Sequence, residues 1–373
     1  MTMVGIAGSC ALLLASLGMY NSISDITAKQ YGENAISKYD FQIVFDIPQS
    51  AADKTSAFSK AAADARIQSL GLISMKSMSG FGEAQDKKSD VYVLVPQNTE
   101  MLSSFIRFRD RETGECFSLD DTGAIITEQL AKQTGITEGD NISFSDSTGK
   151  IYSVKVSRIT ENYTFHYIYL SPALYSSVTG TPPEYSYAIG TISDSIKVSD
   201  PDNYANVKGL LVTDLIKTDG ITTVAYTSDT TKSVTEVTDA LSLVILVFFV
   251  SALILAFVVL YNLTNINIIE RTRELATLKV LGFSDKEVNT YIYRENSIVS
   301  FFGIVIGIFL GIFLHKLLIT FTAINTVMYG QQIAVWSYFA AIAITLLFIV
   351  LVNLLLRKKL KSIDMVLSLK SVE

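Results

Sequence analysis

Only two cysteines, two histidines and one tryptophan occur in the 373 residues. Cys10 lies in an apolar run and Cys116 in a polar stretch, so the two do not pair and a disulfide scaffold is excluded. His166 and His315 lack neighbouring Cys or carboxylate partners, which removes the usual basis for a metal or nucleophilic centre. No G-x-x-x-x-G-K-[ST] occurs, so the chain does not cradle nucleotide phosphates in the P-loop manner. No catalytic, cofactor-binding or metal residue is nominated, and the chain reads as a non-enzyme.

Apolar length is abundant. The chain is 49% hydrophobic, with a mean hydropathy of +0.36. Spanning a hydrocarbon core takes roughly 20 apolar residues, and four runs qualify, at about 3–20, 240–265, 297–321 and 336–356. The last three contain no acidic residue, and Lys316 lies near an end, where it can snorkel. The first run lacks the basic start and clear small-residue cleavage site of a signal peptide, so it reads as a span, with a signal peptide as the other reading. The net charge of −6 divides unevenly: residues from 266 onward hold 11 Lys+Arg against 7 Asp+Glu, and the remainder 19 against 29. The acidic remainder argues against nucleic acid as a partner.

Positive charge sets orientation. Arg271, Arg273, Lys279, Lys286 and Arg294 follow the second run, and "RKKLK" at 357–361 follows the fourth. The stretch "NTVMYGQQIA" between the third and fourth carries no charge. Residues 266–296 and the 357–373 tail are therefore assigned to the cytoplasm, and the loop at 322–335 to the outside.

The soluble part between the first two spans is expected to be an α+β domain over 40–227. "DFQIVFDIP" (40–48) reads as a strand, "AADKTSAFSKAAADARIQSL" (51–70) as a helix, and strands follow near 72–79 and 90–95. "YSYAIGTI" (185–192) and "ITTVAYT" (221–227) read as strands around a helix at about 201–218. These make two β–α–β halves split by a small β-rich insert at about 98–183, whose "RDRETGECF" and "FSDSTGKIYSVKV" turn at glycines. An aromatic-rich stretch from Tyr163 to Tyr187 is expected to pack on strands, with contact to a peptide or lipid as the other reading. Helical spacing continues past the first span over 22–39 and precedes the second over 228–239, with Ser233 and Glu236 in capping-box register. These segments read as stalk helices or as frayed ends of spans 1–21 and 240–265.

Between the second and third spans lies "ERTRELATLKVLGFSDKEV" (270–288). Leu275, Leu278, Val280 and Leu281 form an apolar face, Gly282 suits a left-handed helix end, and Ser284 to Glu287 is a capping box. A docking element, packing on the membrane surface and a plain connector all fit this pattern. Gly303, Gly307 and Gly311 have small-xxx-small spacing, which suits close helix packing within the bundle or in a dimer.

"IIERTRELATLKVLGFSDKEVNTYIYRENSIVSFFGIVIGIFLG" resembles the C-terminal core of FtsX-like permeases, the MacB-type membrane subunits of ABC transporters. Arg273, Glu274, Leu278, Gly282, Glu295, Gly303, Gly307 and Gly311 fill the family's places. "ITEQLAKQTGITEGDNISF" (126–144), "GIAGSCALLLASLGMYNSISDI" and the terminal "LKSVE" are also similar to the family. The resemblance implies a separate ATPase subunit that binds the ATP, docked on a coupling helix at Arg273, Glu274, Leu275, Leu278, Lys279 and Gly282. It further implies a second permease unit or homodimer partner, a bacterial cell-membrane location and an extracytoplasmic domain handling peptide, lipoprotein or lipid clients. A non-transporting regulator that activates a cell-wall enzyme shares the same lever, and a receptor without ATPase would leave 270–282 unused. Members usually open on a basic cytoplasmic segment, whereas here Met1 adjoins the span. In this respect the chain resembles the C-terminal unit of a longer permease.

Overall fold

The computed structural model describes residues 2–32, 34–46, 51–82, 88–199, 201–322, 327–330 and 332–361. The chain divides into two compact units. One comprises 1–25, 238–323 and 329–373, the other 26–237 and 324–328.

The second unit is built on a nine-stranded sheet. Its first half runs β1 (Phe41–Phe45), α2 (Ala51–Ala62) and β2 (Ile67–Phe81), after the opening helix α1 (Thr2–Tyr31). Its last half runs β10 (Tyr187–Ile192), α6 (Asp194–Ser199), α7 (Pro201–Ile216) and β11 (Ile221–Tyr226). The strand order β11-β1-β10-β2 is antiparallel throughout, so the halves interleave, each contributing alternate strands. Phe41, Ile43 and Phe45 face Ala57 and Ala61 of α2 and Leu211 and Leu215 of α7 in one buried core. The two-residue period that sends these inward sends Gln42 to the opposite face.

Between the halves come β3 (Lys88–Pro96), α3 (Thr99–Phe105), β4 (Phe108–Arg109), β5 (Cys116–Phe117) and β6 (Ala124–Thr127). Then follow α4 (Glu128–Thr134), β7 (Asn141–Ser145), β8 (Ile151–Thr160), β9 (Tyr167–Tyr169) and α5 (Pro172–Thr179). The expected hairpins are present, β4–β5 with Gly114 and β7–β8 with Gly149 at positive φ. The insert does not stand apart, however. Beyond β3 its strands continue the main sheet as β9-β6-β8-β7, and β7 pairs back onto the far end of β2 at Ser79–Phe81. The resulting ring encloses Val91, Val93, Ile126, Phe144, Val156 and Ile168 as a second core. β2 has 15 residues, enough for its near half to pair with β10 and its far half to pair with β7.

The helix expected over 51–70 stops near Ala62, because Asp64 folds back onto Arg66 through its backbone N–H and guanidinium. Ile67 then joins the sheet opposite Ile192. The cap expected at Ser233 and Glu236 is also displaced. Helix α8 (Thr227–Glu270) has already begun, and Thr227 is tied by its N–H to Asp40 O and by its hydroxyl to Tyr39 O, both at 2.8 Å. A strand-edge anchor outcompetes an isolated capping box. The end of α1 is fixed in the same unit: Gln30, 2% exposed, donates to Ser37 and Asn162 and accepts from the Tyr163 N–H. Residues 327–328 reach this neighbourhood too, with Val327 bridging Thr164 and Met328 N–H donating to Tyr163 O at 2.9 Å.

The first unit is helical. It holds most of α1 and α8, then α9 (Thr272–Val280), α10 (Asp285–Thr322) and α11 (Val335–Lys361). Among the described residues, four helices are long and apolar enough to cross a membrane. Their outward faces are rich in large apolar side chains, including Phe248, Phe309, Phe313 and Phe339, all more than 60% exposed. Such a surface is unfavourable in water and ordinary in lipid.

Candidate coupling segment and helix seam

α9 follows directly on the 44-residue α8. It ends at a Schellman motif, in which the Phe283 N–H bonds Leu278 O at 3.2 Å and Gly282 adopts φ 96°. A side chain at Gly282 would be strained in that left-handed conformation. The capping box then forms in full. Ser284 N–H and hydroxyl donate to the Glu287 carboxylate, and Glu287 N–H bonds Ser284 Oγ. Those same donors, the backbone one first, hold the Glu287 carboxyl below its usual range.

The nominated docking residues divide. Arg273 and Glu274 are exposed. Leu278 is partly buried against a cluster of Ile6, Cys10, Leu260, Ile268, Ile304, Val352 and Leu356, and Ala276 is fully buried. Among the described residues of this segment, Val280, Leu281 and Phe283 leave apolar surface open. The side chains of Leu275, Lys279 and Glu295 lie outside the described residues. The apolar face drawn from spacing therefore splits: its middle anchors the bundle and its C-terminal end stays open. Periodicity finds an apolar stripe but does not say which partner covers it.

The three glycines form a seam within the chain. A Cβ on Gly303 would meet Ile6 Cβ at 2.9 Å, one on Gly307 would meet Cys10 Cβ at 2.7 Å, and one on Gly311 would meet Leu14 Cδ2 at 2.9 Å. Ile6, Cys10 and Leu14 recur every four residues on α1, as the glycines do on α10, so one row of side chains lies in one row of gaps. Backbone contact is close as well, since the same added carbon on Gly307 would lie 2.8 Å from Ala7 O. In this structure the three glycines face α1 of the same chain.

Two polar contacts further pin α1 and escape prediction from sequence. Asn21 Nδ2 donates to Ser337 Oγ at 2.6 Å, and Ser22 Oγ bonds His315 Nε2 at 3.0 Å. His315 is fully buried, and Gly18 leaves the space its ring occupies. The signal available was a lone histidine inside an apolar run, which in a membrane span calls for a partner on another helix. Among the described residues no cluster of His, Cys, Asp and Glu is arranged to hold a metal.

Residues 246–365 match the sequence model of the family described as FtsX-like permease C-terminal. No curated protein matches the chain. Among solved structures, the chain is similar to the periplasmic region of MacB from Actinobacillus actinomycetemcomitans, with 12% identity over 54% of this chain and 94% of that one, at a TM-score of 0.31. It is also similar to the extracellular domain of the noncanonic ABC-type transporter YknZ from Gram-positive bacteria, with 12% identity over 51% and 99% of the two chains, at a TM-score of 0.30.

Proposed function

We propose, from a chain whose residues 246–365 belong to the FtsX-like permease family, that this multi-pass membrane protein transmits ATP-driven motion of a separate ATPase subunit to its extracytoplasmic α+β domain. In this reading it is the permease subunit of an ABC transporter of FtsX/MacB type. The family is a transporter component and not a classical enzyme. The clients are peptides, lipoproteins or lipids handled by the outer domain.

The observation that carries the mechanism is the unbroken course of α8 from Thr227 to Glu270, with α9 starting two residues later at Thr272. Helices resist bending, so a displacement at one end of a continuous helix is felt at the other. At its N-terminus α8 is hydrogen-bonded to Tyr39 and Asp40, just before β1, and the C-terminus of α1 is hydrogen-bonded to Asn162 and Tyr163. The ATPase would meet Arg273, Glu274 and the open Val280, Leu281 and Phe283, next to the turn at Gly282. Leu275 and Lys279 belong to the same proposed surface. Because Gly303, Gly307 and Gly311 are occupied by α1, a second permease unit would meet another face.

Motion costs free energy only through contacts that differ between states, so nucleotide must favour one separation of the two helices over another. Spin labels at Ser24 and Thr235, with Cys10 and Cys116 replaced, report that separation in the assembled complex. Two distance populations whose ratio follows trapped ATP are expected. One unchanging population, in an assembly that still hydrolyses ATP, would remove the lever.

A further inference from the structure

The aromatic-rich stretch encloses a site that the coupling role does not use. A cavity of about 170 Å³ lies in the sheet unit, on the face turned away from α2 and α7. Strand alternation puts it there: Val91, Val93, Val95 and Ile168 point into the ring, so Tyr92, Leu94, Tyr167 and Tyr169 point out of it. The rings of Tyr92 and Tyr167 lie 5.7 Å apart and those of Tyr167 and Tyr169 5.5 Å apart, forming a continuous aromatic wall. Gln42, Met75 and Ile189 complete its sides.

Three features of this cavity point to a ligand. First, Tyr92, Tyr167 and Tyr169 line this space, and no hydrogen bond ties their hydroxyls to other described residues. Phenol hydroxyls that border one space can donate to acceptor groups of whatever fills it. Burial, followed by the neighbouring phenols, pushes Tyr167 and Tyr169 above the usual tyrosine range, so both are protonated donors at neutral pH. Second, among the described residues no Asp, Glu, Lys, Arg or His lines the cavity. An ion there would lose its water without gaining a counter-charge, which selects a neutral ligand. Third, Phe165 stands at the edge with φ 60°, the one non-glycine residue at positive φ among those described. Asn162 holds it there by donating to both Thr164 O and Phe165 O, and its ring meets Tyr92 edge-on at 5.9 Å. An aromatic residue in this conformation is costly and survives where its surroundings impose it.

Size narrows the class. Pockets for drug-sized molecules run from about 300 Å³ upward, so this one admits a single compact ring and excludes a peptide or an acyl chain. The wall offers phenol donors, a side-chain amide at Gln42 and apolar patches at Ile73, Met75, Leu94 and Ile189. We propose that this cavity binds a neutral ring bearing hydroxyl and amide groups, the chemistry of an N-acetylated monosaccharide, seated against the tyrosines of β3 and β9. A sugar ring presents apolar C–H faces to aromatic walls and hydroxyl edges to donors and amides, which matches this lining.

The test uses the full chain in detergent micelles, without the ATPase, so that its result is independent of the coupling mechanism. N-acetylglucosamine is titrated and followed by saturation-transfer NMR, with choline chloride as the charged probe of similar size. Saturable sugar binding that choline does not displace is expected. Tyr169→Phe keeps the ring and removes the hydroxyl, and should weaken binding by roughly 3- to 10-fold with an unchanged thermal melt. Met75→Trp fills the space from a partly exposed position and should abolish binding. Absence of saturable binding by the unmodified chain would overturn the proposal, as would displacement of the sugar by choline. So would unchanged affinity in both variants.

Discussion

Gly307 of α10 lies so close to Cys10 of α1 that a single added carbon would stand 2.7 Å from the cysteine Cβ. Gly307→Ala is therefore an overpacking substitution, with the Ala7 carbonyl at 2.8 Å closing the other side. A loss of about 1–3 kcal/mol is expected, read as earlier unfolding in a denaturant titration in micelles. Gly8→Ala is the control. Nothing lies within 4 Å of its added carbon, and the change should be neutral or stabilising by up to about 1 kcal/mol. Equal effects at the two sites would remove the seam.

The split of the α9 face separates docking from folding. Leu281 is 70% exposed, so Leu281→Asp should release the ATPase in pull-downs and leave the unfolding transition in place. Leu278 packs into the bundle. Leu278→Asp should lower stability by several kcal/mol, because it both loses the apolar contact and buries a charge. If Leu281→Asp retained the ATPase at normal levels, the open end of α9 would not be its docking surface.

Glu128 gives the outer domain an acid-sensitive joint. Burial pushes its carboxyl up, but bonds from Arg111 and Lys132 outweigh that and leave the net shift downward. A depressed carboxyl contributes stability above its unfolded pKa of about 4.3 and loses it as pH falls through the lower folded value. Thermal melts from pH 7 to pH 3 should show stability declining below about pH 4.5. Glu128→Gln should flatten that decline and cost about 1.5–3 kcal/mol at neutral pH, since Arg111 is only 14% exposed and loses its charge-assisted bonds. An acid branch of the same slope in the variant would assign the decline to other groups.

The two native cysteines report topology without engineering. Cys116 is exposed on the outer domain and Cys10 is buried in the seam. A membrane-impermeant maleimide applied to intact cells should modify the chain once, at Cys116. A cysteine placed at the exposed Ser284 should react only after permeabilisation. Its labelling in intact cells would invert the assignment.

The elements whose signal is local were legible in the sequence. Ser284 and Glu287 form their capping box because both partners lie within one turn, and Gly114 and Gly149 turn their hairpins because positive φ is a property of the residue itself. The four apolar helices follow from length alone. Long-range competition was not legible. Ser233 and Glu236 make a sound local cap, yet Thr227 finds Asp40 and Tyr39 across the sheet and starts α8 earlier. The return of β7 to β2 joins Phe81 to Ser143 across 62 positions, a distance over which periodicity is silent. For the coupling segment, spacing showed that Leu278 and Leu281 are apolar. Only packing shows that the first is covered and the second open.

The length of β2 bears on how the outer domain comes apart. One continuous strand borders both hydrophobic cores, pairing with β10 at Ile73 and with β7 at Phe81. Neither core can melt alone without stripping half of a strand that the other still needs. The two should therefore exchange their amide hydrogens as a single cooperative unit, although the chain between them departs for more than a hundred residues. A ligand gripping either core would then protect both.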